Sequence, residues 1–546
     1  MGSTHEVQNQ PPPLVDYDVF AHDAVIVDGV AREGADWAAI SLHDLGRLAG
    51  SAEAIDWGFA ANAHPPVLRT HDRYGHRIDE VDYHPAYHEL MRVAVERGLH
   101  TRPWCDPRPG AHVARVAAFY LWTQVEAGHC CPISMTYSVV PALRASPQLA
   151  AEWEPRLFSD MYDPAPRPAG RKGGALAGMA MTEKQGGSDV RANTTSAAPA
   201  AGTSDEYELT GHKWFCSAPM CDLFLVLAQA PSGLSCFAVP RWLPDGTRNR
   251  FLIQRLKDKL GNRSNASSEI ELDRAWGRLV GEEGRGVATI IAMVNHTRLD
   301  CVVGSTSVMR QALTQACHHA SHRTAFGRAL VDQPLMTNVL ADLAVESEAA
   351  TLTMLRLAAA YDHGDAGGEA AFRRLATAVA KYWICKRQPG MVVEALECLG
   401  GNGYIEESGM PRLFRESPLN GIWEGSGNVI CLDVLRAIQR EPASVEAFRS
   451  ELAAALGVDD RYDAHVARLD RDLATVVDPG DAQRRARRLV ESMAMALQGS
   501  LVLRHAPPSV ADAFCASRLA GDWGRAYGTL PAGVDDAAIV KRAWPA

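Results

Sequence analysis

Apolar positions along this chain follow two periods, and the change from one to the other divides it. AAISLHDLGRLAGSAEAIDWGFAAN (38–62), AYHELMRVAVERGL (86–99) and GAHVARVAAFYLWTQVEAG (110–128) repeat apolar residues at three- and four-residue steps, so 41–160 reads as helical. Residues 1–40, with prolines at Pro11–Pro13, read as irregular. The proline- and glycine-rich PAPRPAGRKGG ends this stretch. Short β-like runs follow, EYELTGHKWF, LFLVLAQA, LSCFAVPRW, FLIQRL and SEIEL, each bounded by turn-forming residues. From 283 the helical period returns: 287–325 is expected to form one long helix, and two further helices start at Leu335 and Ala371. The result is an α+β chain. Its expected parts are a mostly helical region 1–175, a β domain 176–282, a helical domain 283–440 and an extra helical domain 441–546.

Composition changes this picture little. The chain has 546 residues, enough for three or four domains, with 47% apolar and 22% charged residues. The 12 cysteines show no zinc-type spacing, so no metal site is expected and buried, reduced thiols are. No apolar run approaches bilayer length, and the polar start MGSTHEVQNQPPP lacks a targeting segment, so the expectation is a cytoplasmic protein without membrane contact. A net charge of −10 argues against nucleic-acid binding by the whole surface but permits a local basic patch.

Five segments carry candidate chemistry. MTEKQGGSD (181–189) offers the hydroxyls of Thr182 and Ser188 beside glycines that allow close backbone approach; it reads as a wall for a flat ligand or as a polar turn. In GHKWFCSAP (211–219), Trp214 suits one face of such a ligand and Ser217 its polar edge, although a core tryptophan on a strand fits as well. HRTAFGRALVDQPLM offers Arg323 for a phosphate and Phe326 for stacking, or simply an arginine on a solvated helix face. LGGNGY (399–404), with Gly400 and Gly401, is either a phosphate cradle or a helix C-cap and loop. In NGIWEGSGNVICLDVLR, Glu424 stands between an aromatic and a glycine just before a helix, where apolar surroundings would raise a carboxylate's pKa towards that of a base for a carbon acid.

The order and spacing of these segments resemble the acyl-CoA dehydrogenase family. Their wording, MTEKQGGSDV, GHKWF, RLKDKLGNRSNAS, QPLM and IWEGSGN, is most similar to the AidB branch, proteins of the bacterial alkylation response. The resemblance spans nearly the whole chain, is most specific over 175–435 and weakens after 440. It implies FAD, a helical–β–helical fold with FAD between the β and helical domains, a homotetramer, an acyl-CoA substrate and electron-transfer flavoprotein or oxygen as acceptor. By motif position it assigns Thr182, Ser188, Phe215, Cys216 and Ser217 to the flavin ring. It assigns Ile422, Trp423, Gly425, Ser426, Gly427 and Asn428 to the flavin and its adenosine arm, Arg323 and Phe326 to the diphosphate or adenine, and Glu424 to the catalytic base. The other base position of the family is Thr297, which cannot serve; a phosphate-binding glutamine is replaced by Glu397.

The same resemblance raises duplex DNA as a partner. QRRARRLV gives Arg484, Arg485, Arg487 and Arg488, of which 484, 487 and 488 share a helix face; Arg436, Arg440, Arg504, Arg518, Lys541 and Arg542 could extend the cluster. The competing reading is a solvated face paired with Asp481 and Glu491. Residues 441–546 hold 13 Lys and Arg against 15 Asp and Glu, so the region is not basic overall. No helix-turn-helix or zinc-finger pattern is present, so any DNA binding would read backbone rather than bases.

Overall fold

The computed structural model describes residues 4–203, 205–475 and 479–544. The chain divides into two compact units, one of 53–111 and 125–300, the other of 1–52, 112–124 and 301–546.

The first unit contains a hairpin, β1 (Val67–His71) with β2 (Arg77–Asp82), and the strands β3 (Ala177–Ala180), β4 (Ser196–Pro199), β5 (Glu206–Ser217), β6 (Leu223–Ala230), β7 (Gly233–Pro240), β8 (Phe251–Leu256) and β9 (Ser267–Val280). The pairings β4–β5–β9–β7–β6–β4 return on themselves, with β3 beside β6 and β8 beside β9. Closure leaves few open edges. LFLVLAQA reads as a continuous apolar run because β6 is buried on both faces. β5 instead alternates, with Tyr207, Leu209 and Lys213 turned inward. The buried helix Cys130–Leu143 packs on β3, where Thr136 Oγ1 accepts from Ala177 N at 3.0 Å.

The second unit is almost all helical. Pro334–Asp362 is buried nearly all round from Leu340 to Tyr361, the signature of a central helix. Glu369–Cys398 and Gly427–Arg440 pack with it or with each other, and 442–543 adds five further helices among the described residues. The long helix expected over 287–325 is Gly286–His322, of which residues 301–322 belong to this unit. It ends at a tight hairpin, β10 (Thr324–Ala325) and β11 (Arg328–Ala329), whose two turn residues Phe326 and Gly327 have φ of 51° and 79°.

Three sequence expectations need correction. The helical reading of 41–160 contains the β1–β2 hairpin, whose half-exposed alternation is weaker than the alanine-rich helices around it. The single apolar-periodic run 38–62 is two helices, Ala39–Ala49 and Ala52–Ala63, parted at Gly50 and Ser51. The irregular reading of 1–40 missed Ala24–Arg32: its β-branched, glycine-containing sequence is a poor intrinsic helix, yet Asp23 caps Val25 N and Ile26 N, and Val25, Ile26 and Val30 are buried. Eleven of the twelve free cysteines are buried, Cys105 being exposed. No helix among the described residues is long and apolar enough to cross a membrane.

Candidate active site

In the β-containing unit, MTEKQGGSD leaves β3 and folds back at once: Glu183 and Gly186 exchange both backbone hydrogen bonds at 3.1 Å. Thr182 O accepts from Trp214 N at 2.9 Å, which ties this turn to GHKWF on β5. Between Lys213 and Cys216, β5 advances three residues while β9 advances two. Such a bulge re-aims side chains. Here it turns Trp214 and Phe215 outward together, Trp214 half-buried and Phe215 54% exposed. Lys257 Nζ sits 3.4 Å from the Trp214 ring centre and 4.6 Å from that of Phe215, with Lys184 and Arg255 also over the indole. The aromatic surface therefore carries cations at its rim, of which Arg255 and Lys257 also pair with Glu269 at 2.7 Å. Thr182 is half-buried and Ser188 exposed; Ser217 Oγ lies 3.5 Å from Ser267 Oγ. Cys216 points the other way: burial pushes its thiol up to about 12, so only its backbone can face a ligand.

Beneath this surface lies an ion pair that sequence reasoning missed. Lys213 Nζ donates to Glu183 Oε1 at 2.7 Å, both side chains being fully buried. Glu183 also accepts from Thr194 N at 2.7 Å, Thr195 N at 3.1 Å and Gln185 Nε2 at 2.7 Å, and Lys213 donates to Leu227 O at 2.7 Å. Burial alone would raise the Glu183 carboxyl; the Lys213 ammonium and the threonine donors outweigh it and bring the carboxyl down to about 2. Both residues stood in the quoted motifs. The signal was a lysine at an inward position of an alternating strand.

In the helical unit, Glu424 lies on the turn between Leu419–Gly421 and the helix Gly427–Arg440. Its φ is 55°, an uncommon conformation for a residue with a side chain, and Gly425 follows at 98°, a value only glycine takes readily. The shape is imposed from below. The buried Lys381 donates to Trp423 O at 2.8 Å and to Gly425 O, bracketing Glu424. Trp423 Nε1 donates to Asn420 Oδ1 at 2.8 Å, and Asn420 Nδ2 to Ser305 Oγ at 3.1 Å. Glu424 is half-buried, Ile422 is 64% exposed, Ser426 is half-buried and Asn428 exposed. A strained residue held by an over-determined surround is a frequent mark of a functional position.

Arg323 and Phe326 belong to the hairpin, where Phe326 is fully exposed. Asn9 clasps its first strand: Asn9 Oδ1 accepts from Thr324 N and Thr324 Oγ1 at 2.8 Å, Asn9 Nδ2 donates to Thr324 O at 2.8 Å, and Arg323 donates to Asn9 O at 2.5 Å. Gln10 Oε1 accepts from Asn402 at 3.1 Å, so the same segment touches LGGNGY. That segment caps the helix Glu369–Cys398 and continues as a short 3-10 turn, Gly400–Tyr404. Gly400 and Gly401 are exposed, whereas Gly403 is required by packing, since a Cβ there would lie 2.2 Å from Leu396 O.

The arginine cluster divides. Arg436 and Arg440 are exposed, one turn apart on Gly427–Arg440, with no ion pair among the described residues. Arg484, Arg487 and Arg488 are exposed on Pro479–His505, a helix packed against it. Arg484 lies 3.7 Å from Asp481, and Arg485 pairs with Asp472 at 3.2 Å and Asp481 at 3.3 Å. Arg487 reaches towards the Glu424 segment: a Cβ on Gly427 would lie 3.5 Å from its Nη2. Arg504 is committed to Glu451 and Arg542 to Glu348 and Asp28. Arg518 is withdrawn from the cluster. Its side chain is 4% exposed, pairs with Asp342 at 2.5 Å and Glu346 at 3.2 Å, and lies under Trp523. Arg518 lies on a π-helical turn, Cys515–Leu519, and its enclosure by residues distant in the chain leaves no mark in the local sequence.

The groups fit FAD. In one unit an outward aromatic pair with hydroxyls, glycines and a cationic rim suits a flat ring with carbonyl edges. In the helical unit, taken by itself, the N-terminus of the helix Gly427–Arg440, preceded by Gly425 and Ser426, suits a polar arm.

The sequence matches three family models: adaptive response protein AidB N-terminal domain over residues 9–164, acyl-CoA dehydrogenase middle domain over 178–275, and acyl-CoA dehydrogenase C-terminal domain over 284–439. The putative acyl-CoA dehydrogenase AidB of Escherichia coli K12 is 45% identical over 94% of this chain and 94% of its own. Acyl-CoA dehydrogenase family member 11 of Caenorhabditis elegans is 32% identical over 74% of this chain and 68% of its own. Among solved structures, Caenorhabditis elegans ACDH-11 in complex with C11-CoA superposes with a TM-score of 0.85 at 28% identity, covering 95% of this chain and 94% of that one.

Proposed function

Because the chain belongs to the acyl-CoA dehydrogenase family, in its AidB branch, we propose that it oxidises acyl-CoA thioesters slowly, binds duplex DNA without sequence preference, and serves the adaptive response to DNA alkylation. That it is an FAD-dependent oxidoreductase follows from the family itself.

The observation that carries the enzymatic part is the bracketed turn at Glu424. A carboxylate fixed on a strained loop by Lys381, with Trp423 locked through Asn420 and Ser305, meets the positional demand on a base for a weak carbon acid. Glu424 takes the α proton of the thioester, and the Cα–Cβ double bond forms as the β hydrogen leaves. FAD, when bound, would supply the acceptor for that hydrogen as hydride. Thr182, Ser188 and Ser217 would hold its ring by hydrogen bonds, and Trp214 and Phe215 would cover it. A carboxylic acid is formed on Glu424 and a trans-2-enoyl thioester on the substrate, so protons and electrons balance.

DNA binding is supported by the exposed arginines Arg436, Arg440, Arg484, Arg487 and Arg488 on two packed helices. Arginines on one surface neutralise phosphates without reading bases. The fully exposed Phe326 supports assembly with further copies of the chain, in line with a homotetramer.

The alternative is a proficient dehydrogenase for short or branched acyl thioesters with no nucleic-acid role. Anaerobic titration of the purified flavoprotein with an acyl-CoA series separates the two. Slow bleaching of the flavin by every member supports the proposal. Bleaching by one short or branched thioester at the median enzymatic rate of about 10 s⁻¹ would establish the alternative, and no bleaching by any would remove the enzymatic reading.

A further inference from the structure

We infer that the buried Glu183–Lys213 ion pair is the positioning element that sets the flavin-facing surface of the β-containing unit, holding MTEKQGGSD and GHKWF in one fixed relation.

The two motifs are far apart in sequence, and their backbones meet directly through one hydrogen bond, Trp214 N to Thr182 O. A single main-chain bond fixes a point, not an orientation. The ion pair supplies the rest. Glu183 is adjacent to Thr182, and Lys213 to Trp214, so each flavin-facing residue is the chain neighbour of a charged anchor. Through its five acceptor contacts Glu183 gathers Lys213, Gln185, Thr194 and Thr195; through Leu227 O, Lys213 ties the assembly to β6. Lys184 N also donates to His212 Nε2 at 3.1 Å, on the other side of the same junction.

The inward direction of Lys213 and the outward direction of its neighbours have one cause. The bulge starts just after Lys213. With Lys213 pinned inside by Glu183, the extra residue leaves both Trp214 and Phe215 on the outer surface before Cys216 returns to the interior. If Lys213 lost its partner, an uncompensated ammonium would be left in the sheet interior, and the strand phase that presents the aromatics would lose its fixed point. A buried ion pair is weak evidence for stability, because well-packed apolar residues commonly serve as well; its attested use is to select one arrangement over others.

The same unit holds a natural control. Lys172 and Asp222 form a second buried pair, 2.8 Å apart with side chains 5% and 6% exposed, and neither residue belongs to a flavin motif. If ion pairs here serve folding alone, both should behave alike.

The inference rests on the assignment of FAD to this surface. The test compares Glu183→Gln, Lys213→Met and the double variant with Asp222→Asn and Lys172→Met, each prepared without flavin and reconstituted with FAD. Three quantities are read: thermal midpoint of the apoprotein, FAD dissociation constant, and visible circular dichroism of the bound flavin. The expected result is a dissociation constant raised at least ~10-fold in the Glu183 and Lys213 variants, with altered flavin dichroism, while Asp222 and Lys172 variants of equal or lower midpoint bind FAD as the parent does. Glu183→Gln keeps the shape and one of the two acceptor oxygens, so it serves if Lys213→Met fails to fold. Unchanged affinity and dichroism in folded Glu183→Gln, or losses that merely follow the midpoint in all variants, overturn the inference. Failure of the parent itself to bind FAD would instead defeat the flavin assignment, and the inference with it.

Discussion

At the scale of single residues, enclosure decides what a charged side chain does. Arg518 and Arg436 look alike in sequence, yet one is sealed against Asp342, Glu346 and Trp523 and the other faces solvent. Arg518→Ala should cost roughly 3–5 kcal/mol by leaving the buried Asp342 without its cation, while Glu346 keeps Arg387, measured by denaturant unfolding, with no effect on DNA affinity of the folded protein. His505 gives a pH effect of defined sign. Burial, with Arg32 and Arg504 nearby, pulls it from 6.5 down to about 4. The unfolded chain thus takes up this proton first as pH falls, so the native state loses stability between 6.5 and 4. His505→Gln should show a shallower loss of stability than the parent across that window in pH-dependent thermal scans. A parallel curve would refute the assignment. Glu424 itself was legible as a candidate base, because a carboxylate between tryptophan and glycine ahead of a helix is an unusual context. Lys381 was not, since a lysine in a helical run reads as exposed until the turn whose carbonyls it binds is in place.

At the scale of elements, local pattern foretold the long, strongly periodic pieces and failed where tertiary packing overrides it. Gly286–His322 and the strands of the β domain were legible in outline. The Ala24–Arg32 helix and the β1–β2 hairpin were not: one is helical through its cap and buried face, the other alternates too weakly to stand out. Neither the bulge in β5 nor the clasp of Asn9 on β10 leaves a sequence signature, because each depends on residues distant in the chain. The clasp makes a prediction. Asn9→Ala removes three bonds to Thr324 and should raise amide hydrogen exchange at Thr324 at least ~10-fold while leaving exchange in Pro334–Asp362 unchanged. Equal protection in parent and variant would show that the hairpin keeps its form without the N-terminal segment.

At the scale of the whole molecule, a net charge of −10 coexists with exposed arginines on two packed helices. If five of them each neutralise one phosphate, duplex affinity should fall about 500-fold as salt rises about fourfold, and Arg436→Ala/Arg440→Ala should reduce the salt slope by about two. Fluorescence anisotropy with duplexes of unrelated sequence measures both. A salt-independent affinity would exclude this mode of binding.

The proposed flavin-linked oxidation turns on Glu424 as its base. Its most direct test is a single-turnover, anaerobic stopped-flow measurement of flavin bleaching by a saturating acyl-CoA, in the parent and in Glu424→Gln with equal FAD content. The substitution should slow bleaching by about 10²–10⁴-fold, the usual worth of a positioned base. Equal rates in the two proteins would contradict it.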